Sequence, residues 1–493
     1  MTQATIQYPT VASEYAVVTA VNHPLVRAKG FQTLLPNEVV IFANGVLGQV
    51  LSFDEHGIDI MIFSETSVAV GTKISRTGTE LSFPVSKLKM GTIFSPLGES
   101  IFGTANAQKN ETFRTIFRTP PAISTRTRIT EQLETGYSLT DILLPIGCGQ
   151  RELLVGDRKA GKSDFARGVA LTQARLGTTV VYGMIGKKVS DIKRTYDFFK
   201  KNKILDTIVM IASTTQDPVS TISVTPMAAM SVAEHLVGQG NNVLLILDDL
   251  TTHAEFYREL SLLAKRFPGR DSYPGDIFYL HAQLLERAGV FLQDDKKDAK
   301  GIALTCLPVV RTVNSDLTDF ITSNLISITD GHLLFDTKLY AQGLRPAIDT
   351  KLSVTRVGKQ TQTQLQRDLN QKLTSFIAEY NKTKNLTHLG SEISRRSQDI
   401  LQKGDLFTRF MSDSTQEAHS QTVRLLIVGM IWAGWFTNTH ENVLLSSMHQ
   451  LNKMYQTKDV AAQLNKMVLA ESFDAFLKDI SQNETMLRDI CQI

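Results

Sequence analysis

Eight residues, GDRKAGKS (Gly156–Ser163), are of the types and spacing that hold a chain of phosphates. They fit the pattern GxxxxGK[ST], whose glycines let the backbone turn tightly enough for successive N–H groups to face an anion. Gly156 and Gly161 make that turn, and Asp157, Arg158, Lys159 and Ala160 lie between them. Lys162 is expected on the β- and γ-phosphates and the Ser163 hydroxyl on Mg²⁺, with a helix N-terminus adding positive potential. A second stretch, LLILDDL (Leu244–Leu250), reads as a buried strand ending in carboxylates. Asp248 follows the apolar run directly and is the expected holder of Mg²⁺ through water. The ligand chemistry implied is ATP or ADP with Mg²⁺.

Such a site needs a strand to deliver the loop and a helix to receive it, and both are legible. RELLVG precedes the loop as a strand, and KSDFARGVALTQARLG continues from it as a helix ending at Gly177. TTVVYGMIG, TIVMIAS and NNVLLILDD are further apolar strands, with PMAAMSVAEHLVG and THAEFYRELSLLAKR as helices between and after them. Strands alternating with helices predict an α/β domain whose sheet is mainly parallel and covered on both faces. Before it, YAVVTAV, EVVIFANG, LGQVLSF, IDIMIF and TELSFPV are short strands separated by turn residues, the pattern of a small barrel or sandwich. RTIFRTPPAISTRTRIT reads as an extended connection and DDKKDAK (Asp294–Lys300) as a solvated loop. After about residue 360 apolar residues recur three and four apart, so the last third is expected to be helical. The expected domains are residues 1–82, 83–362 and 363–493. The longest apolar run, LLIVGMIWAGWF (Leu425–Phe436), is too short to span a bilayer and predicts a buried helix, so no membrane insertion is expected.

The 493 residues carry a net charge of only +3, which gives no argument for nucleic acid or an anionic membrane surface. Cys148, Cys306 and Cys491 are far apart and form neither a zinc pattern nor a disulfide framework, so a reduced, intracellular setting is expected. The opening MTQATIQYPT has no secretory pattern.

In PIGCGQRELLVGDRKAGKS, in LLILDDLTTHAEFYRELSLLAKRFPGRDSYPGDIFYLHAQLLERAG and in LISITDGHLLFDTKLYAQGLRPAIDTKLSVTRVG the chain resembles the alpha subunit of F-type ATP synthases and ATPases. The resemblance covers nearly the whole chain. It implies an N-terminal β-barrel, a central RecA-like P-loop domain and a C-terminal helical domain. It also implies an alternating hexamer with catalytic beta-type subunits around a central-stalk gamma-type subunit, peripheral at the inner face of the cell membrane.

Beta subunits of this family place a glutamate soon after the second strand to polarise water. Here GKKVSDIKR puts Lys187 at that place, where alpha subunits have glutamine, and no acid precedes Asp191. A charged ammonium cannot accept a proton; Lys187 is expected either to pair with phosphate or to sit on a solvated turn beside Lys188. SVTRVG places Arg356 where the family's arginine finger enters the neighbouring catalytic site in trans, a contact typically worth about 10³–10⁵ in rate. Arg345 and Pro346 of GLRPA match positions lining the adenine pocket, and Lys159 replaces a glutamine. The purine-facing glutamine loop falls near MSDSTQEA (Met411–Ala418), with its glutamines out of register. His281 and Tyr279 are expected to pack, and the N-terminus leaves little room for a stalk-binding extension.

The expected function is therefore a non-hydrolysing, nucleotide-binding subunit of a rotary F-type-like ATPase. An autonomous RecA-like hexameric ATPase, of secretion or translocase type, would need Asp164 or Asp191 as its base. A ring member with an empty site conflicts with Lys162, Ser163 and Asp248. The motor's output is either ion-coupled ATP synthesis or hydrolysis, or another machine such as gliding motility. The unusual lysines, altered purine loop and short N-terminus lean toward the latter.

Overall fold

The structure is a computed structural model describing residues 8, 14–103, 112–292, 301–388, 394–412, 419–437 and 441–493. Contacts divide the chain into two units. The first comprises Met1–Arg128, Gly149–Arg158 and Gln173–His332; the second comprises Ile129–Cys148, Lys159–Thr172 and Leu333–Ile493.

In the first unit, strands β1 (Tyr15–Asn22), β2 (Leu25–Lys29), β3 (Glu38–Phe42), β4 (Leu47–Asp54), β5 (Gly57–Ile62) and β6 (Lys73–Glu80) close a barrel in the order β1-β2-β5-β4-β3-β6. Its interior is filled by alternating apolar residues, among them Val18, Val26, Val40, Phe42, Val50, Ile60 and Ile74. β2 and most of β6 lie outside the strands read from apolar runs. KISRTGTE has few apolar residues to announce it, but its ladders to β1 and β3 and a bidentate Arg76–Glu38 pair (3.0 Å each) make it a barrel strand.

The same unit holds the sheet that follows the barrel. Its strands are β7 (Ile93–Phe94), β8 (Ser100–Phe102), β9 (Glu152–Asp157), β10 (Thr179–Lys187), β11 (Ile208–Thr214), β12 (Val243–Asp248), β13 (Gly289–Phe291) and β14 (Ile302–Thr312). They are ordered β9-β14-β12-β10-β11-β7-β8, with β13 on β14. The pairs from β9 through β7 are parallel, and only β8 and β13 run antiparallel. Residues 243–248 are all buried, as expected for a central strand covered on both faces.

The helix expected from Pro226 onward begins earlier, at Val219, and runs to Gly238 with Pro226 inside it. Fifteen of its twenty residues are buried, so packing outweighs the lost N–H. Thr225 Oγ1 donates to the Thr221 carbonyl at 2.9 Å and Ser223 Oγ to the Ser220 carbonyl at 2.7 Å, which satisfies backbone acceptors within this buried helix.

Against this helix lies a buried histidine pair. His253 Nε2 is 3.0 Å from the Ser223 carbonyl, which can only accept, so Nε2 carries the proton. His253 Nδ1 is then an acceptor for His281 Nε2–H at 3.0 Å, and both rings are neutral. His281 thus packs as expected, whereas Tyr279, two residues earlier and so on the opposite side of the helix, is 66% exposed. It does not pack, because its face of the helix Ile277–Leu285 is turned from the core.

In the second unit the helices Gln364–His388, Arg395–Met411, Gln421–Trp432 and Phe473–Gln482 meet through rings: Phe376 lies 5.6 Å from Phe407 and 5.5 Å from Trp432, which lies 5.2 Å from Phe473. The apolar run expected as a buried helix is one, with residues 422–431 buried; among the described residues no helix is long and apolar enough to cross a membrane. Arg424, on that helix, is fully buried and paired with Asp141. The stretch read as a solvated loop at 294–300 lies outside the described residues.

The histidine pair makes a pH prediction. Burial pushes His253 down to about 4 and His281 well below its ordinary value. The unfolded chain therefore binds more protons below about 6.5. Stability should be full above that pH and drain away as pH falls toward about 4, on the order of 3 kcal/mol for His253. Urea midpoints at several pH values check it; His253→Gln, which cannot titrate there, should flatten the profile.

Candidate functional site

Parallel pairing sets the carboxyl ends of β9, β14, β12 and β10 along one edge of the sheet, where open α/β sheets bind ligands. The registers are explicit: Gly156 lies opposite Arg311, Leu247 opposite Pro308, and Met184 opposite Asp248.

β9 ends at Asp157 and the next helix begins at Lys162, so the loop GDRKAGKS joins strand to helix as expected. Gly156 (φ +151°), Lys159 (φ +63°) and Gly161 (φ +92°) all have positive φ. A lysine in that region is uncommon, and here it completes a tight turn of a kind whose N–H groups cradle anions. Arg158 and Lys159 are exposed, whereas Ala160 and Lys162 are buried and Ser163 half-buried. Asp157 turns its carboxylate to the end of β14 and the chain just after it: Oδ1 accepts from Thr312 Oγ1 at 2.7 Å and from Ser315 N at 2.8 Å. Among the loop residues, Asp157 anchors the structure.

Lys187, at the end of β10, does not sit on a solvated turn: its side chain is only 18% exposed. Its Nζ donates to Asp248 Oδ1 at 2.6 Å and to Asp249 Oδ2 at 2.9 Å. Burial by itself would lower the lysine's pKa, but the two carboxylates outweigh it and hold the ammonium above its ordinary range. Burial would likewise raise Asp249, but Lys187 and Arg311 hold it below the usual carboxylate range. Asp249 also caps the helix Leu250–Leu263, accepting from Thr252 N at 2.7 Å. Arg311, on β14, reaches Asp249 at 3.5 Å and donates to Glu255 at 2.8 Å and to Thr252 Oγ1 at 3.1 Å. Lys188 is exposed, as a solvated turn requires.

Asp248 ends the strand where the Mg²⁺-holding carboxylate is expected, and Lys187 takes one of the acceptor positions of its carboxylate. Among the described residues no group of three His, Cys, Asp or Glu is placed to hold a metal ion. Asp164 pairs with Arg167, and Asp191 lies 3.6 Å from Arg194; both are paired within their own helices and neither extends a carboxylate as a base.

In the second unit the ring of Tyr340 lies over the loop: a Cβ added to Gly161 would be 3.1 Å from Tyr340 Cε2. The Arg345 guanidinium stacks on that ring, 3.3 Å from its centroid, and its Nη1 donates to the Tyr340 and Leu344 carbonyls at 2.7 Å each. Pro346 lines a cavity of about 360 Å³ with Leu339, Tyr380, Phe407 and Met411. Sequence reading found Arg345 and Pro346 but missed Tyr340 and Arg311, whose neighbours are distant in the chain. Six of the eight residues of the expected purine loop, 413–418, lie outside the described residues.

Arg356 follows the short strand Val354–Thr355, is exposed, and makes no hydrogen bond or ion pair among the described residues. The chain around it is pinned on both sides. Thr355 Oγ1 donates to the Pro145 carbonyl at 2.8 Å, and Gly358 lies so close that a Cβ there would be 1.7 Å from the same oxygen.

Comparison with known proteins gives two findings. The ATP synthase alpha/beta family, nucleotide-binding domain, matches residues 136–355. The ATP synthase subunit alpha of Limosilactobacillus fermentum (strain NBRC 3956 / LMG 18251) is 35% identical over 393 residues, 80% of this chain and 76% of that protein.

The pinning of Arg356 predicts that Gly358→Ala is not tolerated. Its Cβ would meet a backbone oxygen, so the segment must move, at a cost of about 1–3 kcal/mol. A fall in the thermal unfolding midpoint relative to Gly275→Ala, whose added Cβ meets nothing within 4 Å and whose φ, like that of Gly358, is not in the left-handed region, checks the steric part.

Proposed function

We propose a role for this chain from a premise the comparisons establish: it belongs to the ATP synthase alpha/beta family, as an F-type alpha-like nucleotide-binding subunit. The role is non-catalytic. The chain binds ATP or ADP in its own cradle and donates Arg356 in trans to the catalytic site of an adjacent beta-type subunit. Three copies alternate with three such partners around a gamma-type stalk, peripheral at the inner face of the cell membrane.

The observation that carries this reading is the state of Lys187. The place where a hydrolysing subunit needs a carboxylate base holds an ammonium, and that ammonium is tied to Asp248 and Asp249. The exposed Arg356, which makes no hydrogen bond or ion pair among the described residues and stands on a pinned backbone, supports the second half. A guanidinium that spends no donor on those residues is available to bind phosphoryl oxygens bidentately. Lys159 and Lys187, both unlike the residues of the resemblance, support a divergent paralogue whose ring drives another machine such as gliding motility. The subunits that copurify with the chain test that point: ion-translocating membrane subunits would instead mark an ATP synthase.

Two outcomes follow. The purified chain should bind ATP yet turn it over negligibly, and Lys162→Ala should weaken binding; turnover at enzyme-like rates of about 1–10³ per second would overturn the non-catalytic role. In an assembly reconstituted with catalytic subunits, Arg356→Ala should abolish most steady-state ATPase activity, a loss on the order of 4–7 kcal/mol in transition-state stabilisation. Assembly and nucleotide occupancy at this chain's own site should survive, measured by sizing and by bound-nucleotide analysis. Near-normal turnover would show Arg356 to be only a surface charge.

A further inference from the structure

The polar side chains on either side of Arg356 are spent on the chain's own backbone. Ser353, Thr355, Gln362 and Asn370 are all buried. Ser353 Oγ accepts from Leu334 N at 2.9 Å and donates to the Asp349 carbonyl at 2.6 Å, which holds the chain just ahead of the arginine. Arg356 differs: it is exposed and makes no hydrogen bond or ion pair among the described residues.

The other three side chains converge on one short segment. The helix Ser138–Leu143 ends, like any helix, with carbonyls that have no partner inside it. Asn370 Nδ2 donates to the Ile142 carbonyl at 2.7 Å and to the Leu143 carbonyl at 3.0 Å, and Gln362 Nε2 to the Ile142 carbonyl at 3.2 Å. Thr355 Oγ1 donates to the Pro145 carbonyl at 2.8 Å. The helix is itself held in place: Asp141 accepts from Thr135 N at 2.8 Å and from Thr135 Oγ1 at 2.7 Å, and pairs with the buried Arg424. Thr355 is thus fastened to a fixed reference, and the Arg356 Cα stands one peptide unit, about 3.8 Å, from its own.

We infer that Thr355 is a positioning residue for Arg356. Its hydroxyl fixes the backbone from which the guanidinium reaches the neighbouring subunit's phosphoryl group, against the carbonyls of Ile142–Pro145 that Gln362 and Asn370 hold. A displacement of about 1 Å at a reacting centre can cost on the order of 10² in rate, so the mount matters as much as the charge. This rests on the in-trans role proposed above for Arg356 and names the residue on which its reach depends.

The test is steady-state ATPase turnover per assembled ring, in complexes reconstituted with catalytic subunits. Thr355→Val, which keeps the shape and removes the hydroxyl, should lower kcat about tenfold or more, with KM and nucleotide occupancy at this chain's own site unchanged. Thr355→Ser, which keeps the hydroxyl, should turn over like wild type. Thr77→Val removes a bond of the same kind in the barrel, from a buried hydroxyl to the Val39 carbonyl at 2.6 Å, and should leave turnover unchanged. Should the valine variant not assemble, Thr355→Ala removes the same hydroxyl and carries the same expectation. A Thr355→Val kcat within about twofold of wild type would overturn the inference, as would a serine variant as slow as the valine one or an equal loss in Thr77→Val. Arg356→Ala, measured alongside, separates the two readings: if it abolishes turnover while Thr355→Val does not, only the positioning role fails. If both turn over normally, the in-trans role fails with it.

Discussion

A parallel sheet places the ends of its strands together, and in this chain that means placing charges together. β12 ends at Asp248 with Asp249 next to it, and burying two adjacent carboxylates is costly without a cation at contact distance. Lys187 from β10 and Arg311 from β14 supply those cations from the strands on either side. Asp249 then caps the following helix, and the helix returns Glu255 to Arg311. The register of three strands, the start of one helix and the electrostatics of the ligand edge are thus one interaction seen from different residues. Slipping β10 by one residue would turn Lys187 to the opposite face and leave the aspartates unpaired.

The same chain separates two jobs that a hydrolysing subunit combines. Its own cradle has the glycines, Lys162 and Ser163 of a phosphate loop. Arg356, by contrast, is held so that its side chain finds nothing to bond within the described chain. Tyr340 adds a third element, a ring between the loop glycine and the Arg345 guanidinium, which fixes the loop's wall through stacking instead of charge.

How much of this could be read from sequence depended on whether a feature is local. The phosphate loop is a run of eight residues whose types dictate its turn, and its flanking strand and helix were legible from apolar spacing. Asp248 was legible as a strand end. Lys187 was found as a residue but not as an interaction, because its partners are fixed by strand register across 61 positions. Tyr340 went unnoticed because its neighbour Gly161 lies far back in the chain. The barrel strand β6 escaped because a ladder and an Arg76–Glu38 pair, not an apolar run, hold it in place. The helix through Pro226 was misjudged at its start because proline usually opens a helix, and only the burial around it shows why this one continues.

The division of the chain has a consequence for how the protein is made. The second unit takes Ile129–Cys148 and Lys159–Thr172 from the middle of the sequence and the rest from Leu333 onward, so the chain passes between the units five times. During synthesis the barrel has all its strands once residue 80 has emerged, and it can close while translation continues. The two middle segments have no such option. They leave the ribosome about 160 residues before Leu333, so the Phe165 ring can stack on Tyr137 at once but must wait for its other ring neighbour, Phe335. A stalled or truncated chain would therefore present this part of the phosphate-loop helix as a sticky intermediate, which makes the waiting interval the point where chaperones would be most needed.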